Sequence, residues 1–91
     1  MSNNTLFLPL KKEWYDMIES GVKLEEYREI KDFWFKRLTN KDFKYVQFSY
    51  GYTKRTMTFI CDGIEIGTGK PEWGAEPGKN YFVIKLGRRL K

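Results

Sequence analysis

The second half of the chain dictates most of what it can fold into. Three runs rich in β-branched and aromatic residues, "KYVQFSYGY", "RTMTFICDGIEIG" and "YFVIKLG", follow one another there, separated by a glycine turn and a loop rich in Gly and Pro. In the first run Val46, Phe48 and Tyr50 alternate with Tyr45, Gln47 and Ser49, the pattern of a half-buried strand ending at Gly51. Asp62-Gly63 marks a bend or bulge in the second run, which therefore supplies one strand or two. Strands this close in sequence favour antiparallel pairing over a parallel wound sheet.

Upstream, "TLFLPL" reads as a short strand whose Pro9 would not continue a central ladder. In "KKEWYDMIES" the residues Trp14, Met17 and Ile18 share one helix face, extended backward by Leu10, and Gly21 supplies the left-handed stop. "KDFWFKRLTN" predicts a second helix from an Asp32 cap, with Phe33, Trp34 and Leu38 inward. The order is strand, helix, strand, helix, then three or four strands. The expected class is α+β: a small, mostly antiparallel β-barrel or curled sheet with two flanking helices. At 91 residues a second independent core would be hard to build, so residues 1–91 are expected to form one domain.

Charge and cysteine usage narrow the function classes. With 17 basic against 12 acidic residues the net charge is +5, which suits a polyanionic partner such as RNA, DNA or a nucleotide. One cysteine cannot form an internal disulfide, and a cytoplasmic location is the expectation. The start "MSNNTLFLPLKKEW" has no cationic segment ahead of an apolar run, and no apolar stretch approaches the roughly 20 residues of a membrane span, so neither a signal peptide nor a membrane partner is expected. Without histidine, and without a carboxylate cluster at calcium-loop spacing, no metal site and no cofactor are expected.

The stretch "SGVKLEEYREI" does not fit an ordinary core strand. In regular pleating Leu24, Glu26, Arg28 and Ile30 point one way and Lys23, Glu25, Tyr27 and Glu29 the other, so both faces carry ions. Glu26 and Arg28, two apart, are close enough to share a ligand or brace each other, with Leu24 and Tyr27 anchoring the strand. Lys23 can join them only by sitting in the turn after Gly21, outside the alternation. A lysine and a glutamate facing each other in a partly buried cleft could share a proton, a route to acid-base chemistry without histidine. The plainer alternative is a solvated edge strand with a weak ion pair.

Gly21, Lys23, Glu26 and Arg28 fit the Gly-x-Lys-x-x-Glu-x-Arg signature of the ASCH domain family, and "LPLKKEWYDMIESG" and "YFVIKLG" also resemble small ASCH proteins of bacteria and phages. The resemblance implies a PUA-like β-barrel with a cleft in which the signature residues meet RNA, a nucleotide or a modified nucleoside. Some ASCH proteins are hydrolases, one branch deacetylating N4-acetylcytidine and another cleaving RNA; Lys23 and Glu26 would be the catalytic pair if this chain were one. In the deacetylating branch a threonine stands where this chain has Glu26, which removes that branch's hydroxyl nucleophile. The expectation is an RNA- or nucleotide-binding domain, monomeric or weakly dimeric, with a ribonuclease or N4-acylcytidine amidohydrolase as the alternative.

Further candidates lie outside the signature. "SYGYTKR" places Tyr50 and Tyr52 beside Lys54 and Arg55, a mixture that stacks bases and neutralises phosphates, or else an ordinary turn. "GTGKPEWG" lacks the spacing and hydroxyl of a phosphate loop, but as a glycine-rich loop it could line the cleft with Trp73 as a stacking ring or merely pack down. Trp14 and Trp34 are expected in the core, Cys61 as a buried thiol, and "GRRLK" as a solvated basic end.

Overall fold

The computed structural model describes residues 4–91. Its elements are β1 (Thr5–Leu10), α1 (Lys12–Glu19), β2 (Glu25–Glu29), α2 (Asp32–Leu38), β3 (Tyr45–Tyr50), β4 (Thr56–Thr68), a short 3-10 turn (Pro71–Trp73) and β5 (Asn80–Arg89). The five strands form one sheet in the order β1-β3-β4-β5-β2, giving an α+β fold with two helices. None of the described helices is long and apolar enough to cross a membrane.

Strand alternation sets the core. Leu6, Leu8 and Leu10 of β1, Val46 and Phe48 of β3, Met57 and Phe59 of β4, and Phe82 and Ile84 of β5 share one face, closed by Tyr15 and Ile18 of α1 and Leu38 of α2. A flat sheet of five strands would hold β1 and β2 about 19 Å apart. Instead Arg28 of β2 donates from Nη2 to the Pro9 carbonyl of β1 at 3.1 Å, so the sheet curls until its two edges nearly meet.

Some expectations hold, the mostly antiparallel sheet among them, and others change. β1 pairs with β3 in parallel, because α1, β2 and α2 intervene and return the chain in the same direction; the other three pairings are antiparallel. "RTMTFICDGIEIG" is one strand of 13 residues, with register shifts between Phe59 and Ile64 at the expected bulge. The basic end is solvated as expected, Arg88 to Lys91 being exposed, but its backbone is held: β5 runs through Arg89, and Leu90 donates to the Thr58 carbonyl at 2.7 Å. In α1 the fully buried residues are Tyr15 and Ile18, while Trp14 and Met17 are only half-buried. In α2 the N-cap is Lys31 without a side-chain cap, Trp34 is half-buried, and Phe33 is 60% exposed. Leu24 does not anchor its strand either, being exposed.

The expected loop between β4 and β5 packs on the sheet's outer face. Trp73, Ala75, Tyr81 and Val83 are buried there, outside the main cluster. Gly69 makes this closure possible: a Cβ at that position would lie 2.6 Å from the Tyr27 ring and 2.8 Å from Ala75. Gly69→Ala is therefore expected to destabilise the fold by about 1–3 kcal/mol through overpacking, read as a lower urea midpoint with an unchanged m-value.

Candidate functional site

The geometry begins at the end of α1. Ser20 is the C-cap, Gly21 adopts φ +86°, its N–H donates to the Ile18 carbonyl, and the Val22 N–H donates to Met17, the paired bonds of a Schellman ending. The Lys23 N–H also donates to the Met17 carbonyl, at 3.0 Å. These bonds hold Lys23 in the turn before β2, outside the strand's alternation, so its side chain meets that of Glu26.

Glu26 is the centre of the resulting cluster. Its Oε1 lies 3.4 Å from Lys23 Nζ and its Oε2 lies 2.8 Å from Arg28 Nη2. Lys23 is 1% exposed; its ammonium donates to the Trp73 carbonyl at 2.7 Å and lies over the Tyr27 and Trp14 rings at 4.7 and 5.4 Å. Burial pushes the Lys23 pKa below that of an ordinary lysine, and the neighbouring Glu26 carboxylate opposes the shift. Arg28 lies over the Trp34 ring at 5.0 Å, and its Nε–H is buried without an acceptor.

A cleft of about 530 Å³ opens where the edges of β1 and β2 fail to pair. Pro9, Trp14, Glu26, Arg28, Trp34 and Tyr52 are among its walls. That volume is in the range of small-molecule sites. Pro9 has its carbonyl on the free edge of β1, facing the cleft, so its missing N–H costs β1 no bond to β3.

The other predicted residues are placed as follows. Lys23 is behind Glu26, not on the cleft wall, and Gly21 is exposed at the turn. Tyr52 is on the wall and 96% exposed. Tyr50 packs edge-on against Tyr15 with ring centres 5.2 Å apart, and Arg55 pairs with Glu19 at 2.8 Å while lying over both rings. Tyr50, Lys54 and Arg55 do not line the cleft. Trp73 is buried and supplies its carbonyl to Lys23, whereas its ring packs the loop down. Trp14 and Trp34, expected in the core, are cleft walls, and Trp34 also packs against the core cluster. Their helical spacing matches that of core residues, and only the adjoining cations Lys23 and Arg28 set them apart. Among the described residues no group of three or more His, Cys, Asp or Glu side chains is arranged to hold a metal ion.

Comparison of the chain with protein-family models, with curated proteins and with solved structures finds no match.

Two outcomes follow from the buried groups. Glu26→Ala leaves Lys23 without its carboxylate partner and is expected to cost about 3–5 kcal/mol in urea unfolding. Combining it with Lys23→Met is expected to cost less than the sum of the two single changes, because no unpaired ammonium then remains buried. Tyr27 donates to Glu25 at 2.8 Å and accepts from the Lys70 N–H at 3.0 Å; burial raises its pKa from 10.0 to about 12. The folded state favours the protonated phenol, so this stabilisation is complete below pH 10 and is lost as pH rises from 10 toward 12. Phenolate absorbance of Tyr27→Phe should lack a component that titrates near 12 in the parent protein.

Proposed function

We propose that this chain is an ASCH-type, PUA-like domain that binds a nucleotide or an unpaired base of RNA in the cleft between β1 and β2. The observation that carries this reading is the convergence of the signature residues on an aromatic cleft. Glu26 and Arg28 lie on its wall, Lys23 supports Glu26 from behind, and Trp14, Trp34 and Tyr52 surround the opening.

Each group has a role that suits a nucleobase. Aromatic faces stack on any base, with little regard to its identity. A carboxylate held between two cations accepts hydrogen bonds from an exocyclic amine or ring N–H. Arg28, already aimed by Glu26, Pro9 and Trp34, offers its remaining N–H groups to a carbonyl or phosphate oxygen. Lys23 sets the position of Glu26 without touching the ligand.

Titration of the protein with nucleoside monophosphates and with short single-stranded RNA, read by the fluorescence of the wall tryptophans, tests this. Trp34→Ala is expected to weaken binding by about 1–3 kcal/mol, roughly fivefold to 150-fold, and Arg28→Ala by a similar amount. Unchanged affinity in both variants, with folding verified by circular dichroism, would place the binding surface elsewhere. The same samples are expected to leave both short RNA and N4-acetylcytidine intact; loss of either substrate would support the hydrolytic alternative.

A further inference from the structure

On the far side of Trp34 the surface changes character. A second groove of about 430 Å³ runs beside α2, lined by Phe33, Lys36, Arg37, Lys41 and Phe43 together with Thr5 and Leu6 of β1. No carboxylate lines it, and among the described residues Lys36, Arg37 and Lys41 enter no ion pair. Asp42 and Glu65 line an adjoining depression beside Cys61, which shares Lys41 and Phe43 with the groove.

The two cavities share a wall. Trp34 faces the cleft, Phe33 faces the groove, and their rings touch edge to face with centres 4.8 Å apart. Arg37, which lines the groove, lies 5.8 Å from the centre of the same indole and donates to the Phe7 carbonyl at 2.8 Å, which fixes its position. Arg28 lies over that indole from the cleft at 5.0 Å. One tryptophan thus has two guanidinium groups within about 6 Å of its ring centre, one lining each cavity.

We propose that the α2 groove is a phosphate track for single-stranded RNA whose base occupies the cleft, so that the physiological ligand is an oligonucleotide and not a free mononucleotide. The inference rests on the cleft reading above and extends it in one direction along the strand. Lys36, Arg37 and Lys41 neutralise consecutive phosphates, and Phe33 offers an exposed face to the neighbouring base. A single strand fits where a duplex does not, because the base in the cleft has to leave any stack.

The test compares a mononucleotide, a dinucleotide and a short oligouridylate on the parent protein, on Lys36→Ala/Lys41→Ala and on Arg28→Ala, over a series of salt concentrations. Both lysines are exposed, so the double variant keeps the fold. Expected is tighter binding with each added nucleotide, and in the double variant an oligouridylate affinity about tenfold weaker, with a log-affinity against log-salt slope shallower by roughly 1.4 for two lost phosphate contacts. Mononucleotide binding should be unchanged in that variant. An oligouridylate that binds no tighter than the mononucleotide, or keeps its affinity and slope in the double variant, overturns the track while the cleft reading stands. Loss of oligouridylate binding in the double variant, with Arg28→Ala unaffected, supports the groove as an RNA surface and overturns the cleft reading. Binding to vesicles rich in anionic lipid, with none to any RNA, overturns both.

Discussion

The carboxylate of Glu26, held between the Lys23 ammonium and the Arg28 guanidinium, is the interaction on which the rest of this structure depends. A lone ion removed from water costs several kcal/mol, so none of the three groups could be buried without the others. Their remaining hydrogen bonds go to backbone: Lys23 to the Trp73 carbonyl and Arg28 to the Pro9 carbonyl. The turn after α1 and the strand β2 that follows it are therefore tied at one point to two segments distant in sequence, the turn before β5 and edge strand β1. In the low dielectric of the interior, each of these bonds is stronger than it would be on the surface.

The cleft follows from that arrangement. β5 extends the sheet to β2 and β3 extends it to β1, but β1 and β2 do not pair, and only the Arg28–Pro9 bond crosses between them. α1 and α2 each lend one tryptophan to the opening, since each helix precedes or follows one of the two edge strands. The outer face of the sheet is closed separately by the loop around Trp73, whose approach to Tyr27 depends on Gly69.

Much of this was legible in the residues, and the rest was hidden for identifiable physical reasons. Val46 and Phe48 announced their strand by alternation, Gly21 announced a helix ending, and the conflict between Lys23 and strand periodicity located the turn that brings it to Glu26. The parallel β1–β3 pairing was not legible, because local pattern does not reveal which later strand an early one will meet. Trp14 and Trp34 have core spacing, and their place on the wall depends on where the sheet stops. Lys23 read as a ligand-binding cation because lysine is seldom buried; its cage is built from Trp14, Tyr27 and Trp73, none adjacent to it in sequence. The basic end read as solvated and its side chains are, but nothing in its two arginines and a lysine disclosed that its backbone pairs with Thr58.

The unpaired rims of the cleft have a consequence for how molecules of this protein meet one another. A bare strand edge is a template on which another chain can add a strand, the first step toward aggregation. Here Pro9 presents no N–H on its free rim, and the carbonyl beside it is already taken by Arg28. The opposite rim ends in Glu29, which is engaged by Lys31 and Lys79 in a knot of exposed charge. The same substitutions of side chain for backbone that leave the cleft open thus make both rims poor templates for an added strand.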